Sequence, residues 1–202
     1  MAKNGKKQND YKNGADFEQR FANYLVTNLG YDNYQVRNQV KSVNNSRGTN
    51  VDIIGRRLDA RGKRLENLGK IYLYLTGFVA AFGILLMFLM DDKWCGTVVI
   101  LIAVVIEVIA YVAVLKGIEF AFENIWVECK NLKGKADITQ VRKTIDEISD
   151  YQKSGDTTYK FAEYAFVSAN GFVDNAIGLA IKHGIKCYIV EDGKFKRVTN
   201  WK

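Results

Sequence analysis

The amino-acid sequence predicts an α/β domain interrupted by an inserted two-helix transmembrane hairpin. Three observations predict it. Two short apolar strand runs, V-D-I-I-G at 51–55 and I-W-V-E-C-K-N at 125–131, each carry an acidic residue. Helical stripes flank them at 14–29 and 138–151. Between the two strands lie two long runs almost without charge, 71–90 and 97–115.

Residues 1–13 are basic and polar without an apolar core, so they predict a disordered basic tail and not a signal peptide. From 14 to 29, Phe17, Phe21, Leu25 and Leu29 recur every fourth residue and make one helical stripe, and Gly30 caps the end. Glu18 lies beside that stripe. A strand follows at 34–43, with Tyr34, Val36 and Val40 as its apolar residues in imperfect alternation. A polar turn containing Arg47 leads into the strand at 51–55 with Asp52.

The run 71–90 has no charged residue, and 97–115 has one, Glu107. About 20 residues at about 1.5 Å per residue cross the roughly 30 Å hydrocarbon core of a bilayer. Both runs are apolar on all faces, which disfavours a buried soluble hairpin. Residues 91–96 join them in a tight polar turn. Arg and Lys cluster at 56–70, so the positive-inside rule places both halves of the polar domain in the cytoplasm and the turn outside. An acidic residue in mid-span costs about 2.5–3.5 kcal/mol. Glu107 is therefore expected to face another helix, with Thr76 or a tyrosine as partner, or to hold subunits together. Gly77 and Ala81 form a small-xxx-small pair that permits close helix approach.

In the strand at 125–131, Glu128 and Lys130 share one face while Val127 and Cys129 share the other. Asp137 and Gln140 then form a capping-box pattern ahead of a helix with Ile138, Val141, Ile145, Ile148 and Tyr151 in its stripe. Lys143 shares that helix. A strand at 164–167, a helix at 172–183 closed by Gly184, and a strand at 185–190 follow. The basic end, with Phe195 and Trp201, fits an edge strand, a DNA contact or a membrane-surface anchor. The expected organisation is thus a tail (1–13), a first half-domain (14–56), a basic juxtamembrane linker (57–70), the hairpin (71–115) and a second half-domain (116–202).

Composition adds bounds. The net charge of +7 suits nucleic acid or an anionic membrane face. The 3 cysteines, Cys95, Cys129 and Cys187, match no zinc spacing, and Cys129 and Cys187 sit in apolar runs as reduced core residues. His183, the one histidine, lies at a helix end without triad or metal partners.

Two carboxylates on neighbouring strands, Asp52 and Glu128, can hold a hard divalent cation, and a lysine beside them can hold a water. That set suits metal-assisted hydrolysis of a phosphate ester. Asp52 followed by Glu128-Cys129-Lys130 resembles the PD-(D/E)xK nuclease signature, in its Mrr-type restriction-endonuclease branch. The stretches 14–18, 166–172 and 176–185 are similar to that branch's opening helix, its turn after the motif and its last helix. Val51 stands where the signature's proline would be, and residues 53–127 separate the two halves of the motif.

The resemblance implies a restriction-endonuclease-like mixed central sheet flanked by helices. It implies Mg²⁺ or Mn²⁺ held by Asp52, Glu128 and the main-chain carbonyl of Cys129, with Lys130 positioning the attacking water. It adds Glu18 as a helper of the metal and Gln140 as a residue near the scissile phosphate, although capping explains Gln140 equally well. The expected partner is DNA, and the expected location is the cytoplasmic membrane, as an integral two-span protein. Cutting both strands needs a dimer or two events. Two other classes stand beside this one. One is a non-catalytic nuclease-fold module that holds DNA or a partner at the membrane. The other is a membrane-perturbing effector acting through the hairpin.

Overall fold

The computed structural model describes residues 3–89 and 93–199. In chain order its elements are α1 (Lys3–Leu29), β1 (Asn33–Val40), β2 (Thr49–Leu58), α2 (Ala60–Leu89), α3 (Lys93–Phe120), β3 (Phe122–Lys130), α4 (Ile138–Lys153), β4 (Phe161–Ser168), α5 (Asp174–Lys182), β5 (Ile185–Glu191) and β6 (Lys194–Arg197). They form two units, Met1–Arg57 with Glu123–Lys202, and Leu58–Phe122.

The first unit is an α/β layer structure. Its six strands make one mixed sheet in the order β1-β2-β3-β4-β5-β6. The parallel core is β3, β4 and β5, and antiparallel pairs close it at β1/β2 and β5/β6. The α1 stripe of Phe17, Phe21 and Leu25 packs on one face, against Ile53, Ile125, Val127 and Cys129. The α4 and α5 stripes pack on the other, where Val141, Ile148, Ala176 and Ala180 meet Trp126 and Phe166. Burial of apolar area on both faces explains why β3 and β4 read as almost continuous hydrophobic runs.

Local signals end most elements where the sequence expects. Gly30 and Gly184 have φ of 71° and 72°, left-handed values that favour glycine and stop α1 and α5. Asp137 and Gln140 form the full reciprocal capping box at the start of α4. Cys129 and Cys187 are free and buried.

Three expectations shift, and one left open between alternatives is decided. The helix expected from residue 14 begins at Lys3, so the segment expected as a disordered tail is continuous with α1; no proline breaks the run before Gly14. The strand expected to reach residue 43 stops at Val40, because Asp150 of α4 takes the next turn, accepting from the Ser42 hydroxyl and from the Asn44 side chain at 2.6 Å. The expected linker at 57–70 is the end of β2 and the first turns of α2. The basic end forms the edge strand β6, whose Phe195 packs 4.9 Å from the Phe21 ring. Residues 90–92 of the expected turn, the Cys95 side chain and Trp201 lie outside the described residues.

Glu163 ties its own strand β4 to β2, to β5 and to the turn between α1 and β1. It accepts from Arg57 Nη2 at 2.7 Å, from the Tyr31 hydroxyl at 3.0 Å and from Lys186 Nζ at 2.5 Å, and the Arg57 guanidinium lies 4.9 Å over the Tyr31 ring. Burial acts to raise the Glu163 pKa, but the Lys186, Tyr31 and Arg57 contacts outweigh it and hold it below its ordinary 4.5. A depressed folded pKa means stability present above 4.5 and lost as pH falls through the folded value. Glu163→Ala is expected to destabilise the first unit by about 1–3 kcal/mol at pH 7, because Lys186 loses its carboxylate and Arg57 keeps only Glu123, at 3.6 Å. Thermal unfolding should show that deficit shrinking below pH 4.5; a deficit constant with pH would count against it.

The second unit is the hairpin. Windows of α2 and α3, Ala60–Leu85 and Ile100–Gly117, are long and apolar enough to cross a membrane. The Asp59 N–H donates to the Ala121 carbonyl at 2.8 Å, so the hairpin leaves and returns at one place. A Cβ at Gly83 would lie 2.6 Å from Ile100, one at Gly69 3.0 Å from Val114, and one at Gly117 2.8 Å from Leu65. These glycines make the close approach. The Gly77/Ala81 pair does not, because Gly77 lies on another helical face with nothing within 4 Å. Midway between the Gly83–Ile100 and Gly69–Val114 contacts stand Thr76 and Glu107, both half-buried. Helical phase thus puts Glu107 on the side of α3 that carries Ile100 and Val114. The Thr76 hydroxyl donates to the Tyr72 carbonyl at 3.0 Å.

Candidate active site

β3 presents its side chains as the alternation predicts. Val127 and Cys129 enter the α1 core, and Trp126 enters the core under α4. Glu128 and Lys130 follow Trp126 on the α4 side, and the Lys130 ammonium donates to Glu128 Oε1. β2 is the neighbouring strand, and Asp52 Oδ2 accepts from the Cys129 N–H at 2.7 Å. The sheet thus brings Asp52, Glu128 and Lys130 together.

The Asp52 carboxylate reaches that N–H because β2 breaks its alternation there. Val51 and Ile54 pack on the α4–α5 side and Ile53 on the α1 side, whereas a regular strand would send 51 and 53 to one face. β1 does the same at the matching place. Val36 packs on the α1 side and Val40 on the other. The register runs Val36↔Ile53 and Asn38↔Val51, so Arg37 stands across from Asp52, and Arg37 has φ of 58°. Both strands invert their faces at this one level. The register stays one-to-one through this level, so the inversion comes from backbone conformation and not from an inserted residue.

Helices approach the acid pair from both faces. From α1, Glu18 takes a two-point contact from Arg37, at 2.8 Å from Nε and 3.3 Å from Nη2. From α4 come Glu147 and Lys143, paired at 3.6 Å. Gln140 is on the same helical face, three and seven residues before them, but its Oε1 accepts from the Asp137 N–H at 3.0 Å in the cap.

Electrostatics follow from burial and crowding. Burial first, and then the Glu128 charge, push Asp52 up to about 7, with Glu18 adding to the rise; the Cys129 N–H and Lys130 oppose it. Burial raises Glu128 as well, against the pull of Lys130. Burial also raises Glu147. For Lys130 burial acts downward, but Glu128, Asp52 and Glu147 outweigh it and raise the pKa, so this lysine is a firm cation at neutral pH. Burial likewise raises the Cys129 thiol, which rules it out as a thiolate ligand at neutral pH.

A divalent cation would meet two carboxylates and a main-chain carbonyl here. Among the described residues no group of three or more His, Cys, Asp and Glu side chains converges to hold a metal. In an extended strand the N–H and C=O of one residue point to the same edge, so the Cys129 carbonyl faces the β2 side, where its N–H meets Asp52. Two buried carboxylates whose pKa values are raised by burial and repulsion form a site that a cation relieves. Mg²⁺ keeps several waters and needs only one or two carboxylates. The donor set fits it.

The sequence did not indicate Arg37 or Glu147. Glu147 has a signal, its spacing of seven from Gln140 on one helical face. Arg37 has none, since arginine in a strand gives no hint of a left-handed backbone. No protein-family model matches the chain, and no curated protein or solved structure matches it either.

Proposed function

We propose that this chain is a membrane-anchored, metal-dependent endonuclease that hydrolyses DNA phosphodiester bonds from the cytoplasmic face. The observation that carries the reading is the meeting of Asp52, Glu128 and Lys130 at one level of two neighbouring strands. Asp52, Glu128 and the Cys129 carbonyl would hold Mg²⁺ or Mn²⁺, which supplies Lewis-acid stabilisation of the phosphate. Lys130 is cationic, so it orients the nucleophilic water by donating to it and stabilises developing negative charge, rather than taking a proton. The net charge of +7 favours approach to a polyanion. Two apolar helices long enough to cross a bilayer support the anchor, and the Arg and Lys at 56–70 favour a cytoplasmic sheet domain by the positive-inside rule. Cutting of foreign DNA entering the cell suits that position.

The test begins with membranes. The protein should resist alkaline carbonate extraction, and the detergent-solubilised chain should cut plasmid and linear DNA with Mg²⁺ or Mn²⁺ but not with EDTA. Folded protein that binds DNA and never cuts it would move the assignment to a non-catalytic DNA-holding module. Loss from the membrane at alkaline pH would remove the anchor.

A further inference from the structure

Arg37 is placed at some conformational cost. Its φ of 58° belongs to a region that side chains other than asparagine and glycine rarely adopt. Its neighbours on either side keep their pairing with β2, so the ladder does not require the kink. What the kink achieves is an aim: the guanidinium leaves the regular strand pattern and grips Glu18 of α1. Strained backbone of this kind concentrates where a side chain must be held for function.

The grip itself is informative. Arg37 uses Nε and Nη2 on the two oxygens of one carboxylate, at 2.8 and 3.3 Å. The same planar fork fits two oxygens of a phosphate. β1 is the edge strand of the sheet, and the Arg37 side chain is 35% exposed against 12% for Glu18, so the cation is the outer partner. Glu18 is near enough to Asp52 to raise its pKa, which puts the pair beside the acid cluster. A phosphodiester approaching Asp52 and Glu128 meets repulsion from these acids and from Glu147. Lys130 is held by Glu128 and Lys143 pairs with Glu147. Arg37 is the forked donor at the rim.

We propose that Arg37 binds the phosphodiester backbone at this site, and that Glu18 occupies the phosphate's place in the unbound protein. Arrival of DNA exchanges one two-point anion for another and releases Glu18 beside Asp52. The proposal rests on the nuclease reading and names the contact by which the site takes its substrate.

The experiment is binding of a short fluorescent DNA duplex to the full chain in detergent micelles, in EDTA, over a range of salt. Arg37→Gly suits the left-handed backbone and removes only the side chain. It should weaken binding about ten-fold, the low end for a charge-assisted contact, and flatten the log affinity against log salt slope by about 0.9. Glu18→Gln frees the arginine and should tighten binding by roughly three-fold, the scale of an exposed ion pair. The opposite signs separate phosphate binding from a mere clasp between α1 and β1, since a clasp would change melting temperature in both variants and DNA affinity in neither. Wild-type affinity and slope in both variants, with metal-dependent cutting intact, would overturn this proposal alone. A wild-type chain that neither binds nor cuts DNA would overturn it together with the nuclease reading.

Discussion

Lys130→Ala is expected to lower the rate of metal-dependent DNA cleavage by about 10²–10³-fold, the scale of one preorganised donor at a developing oxyanion. The size follows from the position. Lys130 is the cation held directly on Glu128, and surrounding carboxylates keep it protonated. In the proposed mechanism its removal takes away the donor to the attacking water, and with it the charge that offsets the acids. The fold should survive, because Glu128 is already pushed toward its neutral form by burial and can take up a proton once unpaired. A second consequence follows from that protonation. The variant should need a higher pH or more Mg²⁺ for its residual activity, because the cation then competes with a proton on Glu128. Single-turnover cleavage with saturating enzyme, followed across Mg²⁺ concentration, measures both. A folded variant cutting at the wild-type rate would remove Lys130 from the chemistry.

Asp52→Asn is expected to stabilise the metal-free protein at pH 8 by about 2–4 kcal/mol, from a shift worth about 1.4 kcal/mol per pKa unit, reduced for partial exposure. Asn keeps the carbonyl oxygen that accepts the Cys129 N–H, so the hydrogen bond at 2.7 Å is retained while the charge is lost. In the wild type the folded carboxyl titrates near 7 and the unfolded one near 3.8. Between those values the folded state keeps a proton that the unfolded state releases, so stability falls as pH rises from 3.8 through 7 and the penalty is complete above it. Below 3.8 both states are protonated and the variant should match the wild type. Melting temperatures in EDTA from pH 4 to 8 should therefore diverge steadily. Mg²⁺ should reverse the sign at pH 8, stabilising the wild type and not the variant, because a bound cation would take the place of the proton on Asp52 and needs the carboxylate that Asn lacks. Parallel pH profiles, or equal Mg²⁺ responses, would argue against a cation site here.

Much of this was legible because its causes are local. The four-residue spacing of Phe17, Phe21 and Leu25 decides which side of α1 is buried. The two-residue alternation of β3 decides that Cys129 goes to the core and Glu128 with Lys130 to the other face. Asp137 and Gln140 specify a cap, and Gly30 and Gly184 specify stops, through hydrogen bonds and φ values that need no distant partner. The two uncharged runs specified two helices, α2 and α3, long and apolar enough to cross a membrane.

What the tertiary structure decided has non-local causes. Val36 and Val40 are an even number of residues apart, and period alone puts them on one face. The packing of β1 and β2 between two different cores sends them to opposite faces, through a left-handed arginine that no propensity would select. Which glycines bring α2 against α3 depends on helical phase about a partner, so Gly83, Gly69 and Gly117 take the role that Gly77 suggested. Glu163 is an ordinary glutamate until β2, β5 and the turn after α1 bring Arg57, Lys186 and Tyr31 around it. The sequence by itself determined the periodic faces, the caps and the acid–lysine strand. The fold decided which charges meet, because strand register and helix phase are properties of pairs of elements, and neither is written in one element alone.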